Sequence, residues 1–162
     1  MATVFVLDTS YLCEFYRVPG CHRSGFSDKI QQRMREQSTG RFFLPLGCLY
    51  QLCDHIGDVE NGHKRRKLAK AVESDVNSSI EKVIPWIIVP ATDVKAGLSG
   101  LLRRFSEDPA HLEMGLTDST VISEAERLKK EYTTSLGYRV HIWTTDRRLK
   151  VYEPDSEPDP LL

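Results

Sequence analysis

Thr3-Val4-Phe5-Val6-Leu7-Asp8-Thr9-Ser10 joins a short apolar run to a polar triplet. The apolar run, residues 3–7, is rich in β-branched side chains, which is typical of a buried strand. The polar triplet after it can accept hydrogen bonds from the first free N–H groups of a helix. A strand that leads directly into a helix predicts an alternating α/β fold.

Further runs with strand character follow, separated by segments with helical spacing. Strands are predicted at residues 41–46, 86–89 and 140–144, with a short edge strand at 151–152, and helices at about 28–37, 46–56, 63–82, 93–105 and 118–132. This alternation favours a mainly parallel sheet of four or five strands with helices on both faces. We therefore predict a three-layer α/β/α sandwich formed by residues 1–152. The acidic, proline-containing segment 153–162 is predicted to be a flexible tail.

The composition is that of one globular domain. The chain has 162 residues, of which 40% are hydrophobic and 28% charged, and a domain of this size buries a sufficient core by itself. No apolar run approaches the roughly 20 residues that a bilayer span requires. The N-terminus lacks the basic segment of a signal peptide. A cytoplasmic protein with no membrane association is expected.

Neither the net charge nor the cysteines indicate a ligand by themselves. A net charge of −1 gives no overall attraction to a polyanion, so nucleic acid would have to be held by a local basic patch or by metal. The cysteines, Cys13, Cys21, Cys48 and Cys53, form no C-x-x-C pair. Buried free thiols are expected rather than a zinc site or a disulfide framework.

Three aspartates occupy the places where a parallel sheet binds its ligands. Asp8 ends the first strand, Asp146 ends the fourth, and Asp118 begins a helix, while ligands in such sheets bind beyond the carboxyl ends of the strands. Each aspartate alone has an ordinary explanation as a helix cap. Together they would repel one another unless a hard cation supplied the opposing charge. We predict that Asp8, Asp118 and Asp146 bind Mg²⁺ or Mn²⁺.

These acids lie in motifs through which the chain resembles the PIN-domain nucleases. The motifs are Val6-Leu7-Asp8-Thr9-Ser10, Gly115-Leu116-Thr117-Asp118 and Trp143-Thr144-Thr145-Asp146, and their order and spacing run over residues 3–152. The resemblance implies an α/β/α sandwich and Mg²⁺- or Mn²⁺-dependent hydrolysis of phosphodiester bonds, usually of RNA, leaving a 5′-phosphate and a 3′-hydroxyl. Many small members of the family are toxins paired with an antitoxin. The resemblance suggests an antitoxin or other protein partner for this chain. A homodimer is a further possibility, and the sequence leaves the oligomeric state open.

One position departs from the family's pattern. The family's second acid normally lies six residues beyond a proline such as Pro45, and here that position is Gln51. An amide oxygen carries no charge, so the affinity for a divalent cation should be lower. Asp54, three residues later, could compensate or could be an ordinary solvated residue. The departure suggests an alternative function, a catalytically weakened module that binds RNA or a partner protein.

Several polar residues near the acids are candidates for contacts with nucleic acid, namely Arg65, Arg147, Arg148, Thr145 and His55. Solvated surface arginines, a capping threonine and a packed histidine are the structural alternatives. The aromatic residues that follow Asp8, which are Tyr11, Phe15 and Tyr16, could stack on a base, although core packing is favoured. A flavodoxin-like or receiver-like domain is the competing fold. Receiver domains pair two early acids, whereas Asp8 stands alone.

Overall fold

A computed structural model of the protein describes residues 3–23, 25–37, 39–89 and 94–158. The strands are β1 (Thr3–Leu7), β2 (Arg41–Pro45), β3 (Ile87–Val89) and β4 (Arg139–Trp143). The helices are α1 (Thr9–Tyr16), α2 (Phe26–Glu36), α3 (Leu46–Gly57), α4 (Gly62–Lys82), α5 (Val94–Glu107), α6 (Pro109–Met114), α7 (Leu116–Leu136) and α8 (Arg147–Lys150).

The strands form one parallel sheet in the order β3-β2-β1-β4. Helices α3 and α4 pack against β2 and β3, whereas α7 packs against β4, β1 and β2. Because parallel crossovers are right-handed, the helices between β1 and β3 cover one face and those between β3 and β4 cover the other. The predicted three-layer α/β/α sandwich is therefore confirmed. Residues 151–152, predicted to be an edge strand, form a turn instead.

An aromatic cluster fixes α1 to the sheet. The ring of Trp143, at the end of β4, lies 4.2 Å from that of Phe5 and 4.7 Å from that of Tyr11, measured between centroids. Phe15 and Tyr16 both meet the buried ring of Trp86 edge-on. The core packing favoured for the three aromatics after Asp8 is confirmed, and this packing holds the residues directly after β1 in place.

The free edge of β4 is covered by the segment that was expected to be a tail. The Asp155 carboxylate accepts a hydrogen bond from the Val140 N–H at 2.8 Å, and the Glu153 carboxylate accepts one from the Ile142 N–H at 2.9 Å. An edge strand presents unpaired N–H groups that need partners, which gives residues 153–158 a reason to lie against β4. Residues 159–162 lie outside the part of the chain that the structure describes.

None of the helices in the described ranges combines the length and the hydropathy needed to cross a bilayer.

Candidate active site

Asp8, Asp118 and Asp146 lie at the carboxyl edge of the sheet. Asp8 follows β1, Asp146 follows β4 after two threonines, and Asp118 lies in the first turn of α7. The chain runs from β1 to β2 and β3 on one side of β1 and then crosses to β4 on the other side. The order of strands therefore reverses between β1 and β4. A crevice for ligands opens at such points in doubly wound sheets.

Asp8 is held by one of its two carboxylate oxygens. Its side chain is buried, and its Oδ2 accepts hydrogen bonds from the Ser10 N–H at 3.3 Å, the Ser10 hydroxyl at 2.5 Å and the Thr144 hydroxyl at 2.8 Å. Within the described ranges no hydrogen bond reaches Oδ1. The carboxylate is therefore oriented by protein donors on one side and has a coordination position left on the other.

Hydroxyl groups connect the end of β1 to the end of β4. The Ser10 hydroxyl, besides donating to Asp8, accepts a hydrogen bond from the Thr145 N–H at 2.9 Å. The Thr144 hydroxyl accepts one from the Asp146 N–H at 2.9 Å. The backbone rather than the side chain of Thr145 thus contributes to the network. Sequence reasoning missed Thr144, whose position directly after β4 was the available signal.

Asp146 is paired with an arginine of its own helix. Its Oδ1 accepts from the Arg148 N–H at 2.8 Å and its Oδ2 from the Arg148 guanidinium at 3.0 Å. The Arg148 side chain keeps the pKa of Asp146 below its ordinary value. Arg147, the preceding residue, is exposed. The two arginines place positive charge directly beside the acidic edge.

Asp118 shows that the acids share one electrostatic environment. Burial, followed by the nearby charges of Asp8 and Asp146, raises the pKa of Asp118 from 3.8 to about 6, against the opposing effect of Arg148. The side chain of Asp118 does not cap α7, because Gly115 occupies the N-cap and no side chain bonds there. With no capping role, Asp118 remains a carboxylate placed among like charges.

Gln51 borders the acids from α3. Its Oε1 accepts a hydrogen bond at 2.7 Å from the hydroxyl of Thr9, the residue after Asp8. Asp54 is exposed on the next turn. Cys48 is buried beneath this region, and its pKa is raised foremost by burial and further by Asp8 and Asp118. Gln51 is thus close to the acidic edge, and its amide oxygen is already engaged by a protein donor.

Two of the predicted contact residues lie elsewhere. The Arg65 guanidinium donates to the Gly57 carbonyl at 3.3 Å, at the end of α3 and about 9 Å along the helix axis from Gln51. His55 lies one turn beyond Gln51, in a group with Cys13 and Cys21 whose ligand atoms are all within 4.8 Å of one another. In the described part of the chain, neither Arg65 nor His55 forms a hydrogen bond or an ion pair with the three aspartates; Arg65 contacts Gly57, and His55 groups with Cys13 and Cys21.

The carboxylate oxygens of the three aspartates lie farther apart than the ligand atoms of Cys13, Cys21 and His55. Within the described ranges, only Cys13, Cys21 and His55 have three potential ligand atoms mutually within 4.8 Å. A cation at the acidic edge would therefore reach part of its ligand set through water. Mg²⁺ commonly binds in this way, since it dehydrates reluctantly and keeps several waters.

Comparison of the chain with protein-family models and with curated proteins found no match. The resemblance to the PIN-domain nucleases therefore stays a prediction from the three motifs.

Proposed function

We propose that the protein is a divalent-metal-dependent nuclease of the PIN-like kind, with RNA as its substrate. The observation that supports this most is the raised pKa of Asp118, caused by burial and by the neighbouring Asp8 and Asp146. Like charges are brought together at a cost, and a bound cation offsets that cost. The position at the reversal of strand order agrees with a ligand site.

The residues present fit Mg²⁺ or Mn²⁺. All the candidate ligands at the edge are oxygens, supplied by Asp8, Asp118 and Asp146, and hard cations prefer such ligands. Asp8 would offer Oδ1, because its Oδ2 already accepts three hydrogen bonds. When bound, the cation would supply the positive charge and the Lewis acidity that phosphodiester hydrolysis requires.

The surrounding side chains orient these acids and supply positive charge. Ser10 and Thr144 fix the Asp8 carboxylate by donating to a single oxygen, so that it does not have to be ordered when a ligand binds. Arg147 is exposed beside Asp146, where a guanidinium could contact the phosphate backbone of an RNA strand. The exposed guanidinium of Arg147 favours binding of a polyanion next to the acids, despite the net charge of −1.

A nuclease assay with matched variants tests the proposal. Single-stranded and structured RNA and DNA would be incubated with the wild type in Mg²⁺, Mn²⁺ or EDTA, alongside Asp118→Asn and the control Asp28→Asn. Asp28 is exposed on α2 and pairs with Arg17, so its replacement makes the same chemical change outside the site. We expect cleavage that needs metal, survives in the control and is lost in Asp118→Asn. Cleavage that persists in EDTA and in Asp118→Asn would overturn the proposal.

Gln51 supports a second candidate, a module that binds RNA or a partner protein without cutting. Its neutral amide stands where the resembled family has an acid, and its oxygen accepts from Thr9. RNA binding that is independent of metal, with no cleavage under any condition, would favour this function. The nuclease proposal also includes two expectations that rest on the sequence alone, an antitoxin partner and a cytoplasmic location.

A further inference from the structure

A second group of potential ligands lies apart from the acidic edge. The sulfurs of Cys13 and Cys21 and a ring nitrogen of His55 are all within 4.8 Å of one another, with Cys13 buried and the other two side chains half-buried. The residues come from α1, the loop after it and α3. Neither their order nor their spacing in the sequence indicates that they meet.

The alignment of α1 with α3 brings Cys13 and His55 together. Thr9 on α1 donates to Gln51 on α3 at 2.7 Å, and both helices start from parallel strands at the same edge of the sheet. Cys13 lies four residues after Thr9, and His55 lies four residues after Gln51. Residues four apart share a helix face, so the second pair meets one turn below the first.

Loop hydrogen bonds hold Cys21 beside this pair. Arg17, the residue after α1, has a left-handed backbone conformation. Beyond it, the Val18 N–H donates to the Cys13 carbonyl at 2.9 Å and the Cys21 N–H donates to the Val18 carbonyl at 3.1 Å. The buried Glu14 carboxylate accepts the Arg23 N–H at 2.9 Å. The loop therefore returns to the end of α1 and is held on both sides of Cys21.

Two sulfurs and an imidazole nitrogen are the ligands that zinc prefers. Zn²⁺ binds sulfur at about 2.3 Å and histidine nitrogen at about 2.0–2.1 Å in tetrahedral sites, which places two sulfurs about 3.8 Å apart. Ligand atoms within 4.8 Å of one another need only small side-chain rotations to close around such an ion. The hard cations expected at the acidic edge do not favour thiolate ligands.

We propose that Cys13, Cys21 and His55 bind one Zn²⁺ ion, which ties the loop after α1 to α1 and α3. Each thiol gives up its proton to solvent as the metal binds. Three protein ligands leave one tetrahedral position, which a water molecule fills from the side on which Cys21 and His55 reach the surface. This site is separate from the proposed nuclease centre and takes a different class of metal.

Cobalt substitution gives a direct spectroscopic readout. Reduced, metal-free protein would be titrated with Co²⁺ alone, and we expect one equivalent to produce sulfur-to-cobalt charge-transfer bands and the intense visible bands of tetrahedral cobalt. Zn²⁺ should displace the cobalt and abolish the spectrum. Zn²⁺ should also raise the thermal midpoint of the wild type, because binding to the folded state stabilises it.

Matched variants decide which side chains bind. Loss of a hydrogen-bond partner of a metal ligand typically weakens metal binding about 10–100-fold, so loss of a direct ligand in Cys21→Ser or His55→Gln should weaken cobalt binding by at least about tenfold. Both variants should also lose the Zn²⁺-dependent rise in the thermal midpoint. Cys21 and His55 are half-buried, so these variants test the site without emptying the core. Cys53→Ser removes an exposed thiol of α3 and should leave the spectrum unchanged.

Asp118→Asn should give the same sulfur-to-cobalt bands as the wild type, because Asp118 is not one of the three proposed zinc ligands, and this result separates the zinc proposal from the nuclease activity. An octahedral spectrum without sulfur bands in the wild type would overturn the zinc proposal. The same conclusion would follow if Cys21→Ser kept the full sulfur bands, or if Zn²⁺ stabilised that variant as much as the wild type.

Discussion

The three aspartates of the acidic edge have different relations to the fold. Asp8 and Asp146 accept hydrogen bonds from the starts of α1 and α8, so each also serves as a helix cap. Asp118 has no such capping role. Replacing Asp8 or Asp146 would disturb structure and charge together, whereas replacing Asp118 changes mainly the charge. Asp118 is therefore the position at which the proposed function is best separated from stability.

Asp118→Asn should stabilise the metal-free protein at neutral pH. The pKa of Asp118 is raised from 3.8 to about 6, so stability contributed by its protonated form is complete below about 3.8 and is lost as the pH rises through about 6. The asparagine of the variant does not ionise, so the variant does not lose this stability as the pH rises. After allowance for solvent screening, we expect a gain of about 1–2 kcal/mol above pH 6 that disappears below pH 4. Urea unfolding in EDTA at several pH values measures it.

Divalent metal should reverse the difference in stability between the wild type and Asp118→Asn. Mn²⁺ should stabilise the wild type more than Asp118→Asn, since only the wild type has the full set of carboxylates. A gain in stability that is the same at every pH in EDTA would show that neither the burial of ionised Asp118 nor its repulsion by Asp8 and Asp146 destabilises the fold.

Gln51→Glu should tighten Mn²⁺ binding. Gln51 accepts from Thr9 at 2.7 Å beside Asp8, and a carboxylate there could still accept this bond while adding an anionic oxygen. We expect about a tenfold gain in affinity, or about 1.4 kcal/mol, with faster cleavage. Gln31→Glu, a matched charge change on α2, should have no effect. If Gln51→Glu binds no better than the wild type, residue 51 lies outside the coordination sphere.

At the level of elements, the edge of β4 depends on acidic side chains. Asp155 accepts from the Val140 N–H at 2.8 Å and from the Lys129 ammonium at 2.5 Å. Asp155→Ala would leave both donors without this acceptor, so we expect a loss of about 1–3 kcal/mol in the free energy of unfolding. Ser156→Ala, at an exposed neighbouring residue, is the control. Equal stability of the two variants would mean that these bonds contribute nothing.

The contribution of Asp155 should also depend on pH. Burial alone would raise its pKa, but Lys129 and the Val140 N–H more than offset this and lower it. The stabilisation is therefore complete above the ordinary aspartate pKa of about 3.8 and is lost as the pH falls through the lower value of the folded state. In urea unfolding curves, the difference between the wild type and Asp155→Ala should narrow at acidic pH. A difference that widened on acidification would contradict this assignment.

Helix α8 should set the salt dependence of RNA binding. Arg147 is exposed, whereas the guanidinium of Arg148 already donates to Asp146 at 3.0 Å. Arg147→Gln should therefore reduce the slope of log affinity against log salt by about 0.7–0.9, the value for one phosphate contact, and Arg148→Gln should reduce it less. Arg139→Gln, at the opposite end of β4, is the control. An unchanged slope in Arg147→Gln would assign this arginine to the solvated surface.

For the whole molecule, local sequence patterns predicted the order and type of the elements well, but they predicted the contacts between elements less well. An apolar, β-branched run such as residues 3–7 favours a buried strand, and the alternation of such runs with helical segments predicts the layers of the fold. The predicted fifth strand is absent from residues 151–152, which form a turn. The N–H groups on the free edge of β4 that such a strand would pair with are bound by Asp155 and Glu153 instead. The covering of β4 by residues 153–158 depends on which strand is at the edge, and local composition does not show that.

Part of the candidate site could be predicted from the sequence, because local patterns place two of its residues at the ends of strands. Asp8 and Asp146 directly follow predicted strands, so the parallel topology brings them to one edge. The meeting of Cys13 and Cys21 with His55 depends on how α1 aligns with α3 and on a loop that turns back. Such contacts arise from tertiary packing, and the spacing of the cysteines carries no sign of them.

Binding of Mn²⁺ to the whole protein, followed by electron paramagnetic resonance at pH 7.5, examines whether the three aspartates act as one centre. Mn²⁺ prefers oxygen ligands, so the signal reports the acidic edge rather than the cysteine–histidine group. We expect saturable binding of one or two ions by the wild type and by Asp28→Asn, and a loss of at least about tenfold in affinity in Asp118→Asn. Equal Mn²⁺ affinity in the wild type and Asp118→Asn, or no saturable binding to the wild type, would contradict a shared metal centre.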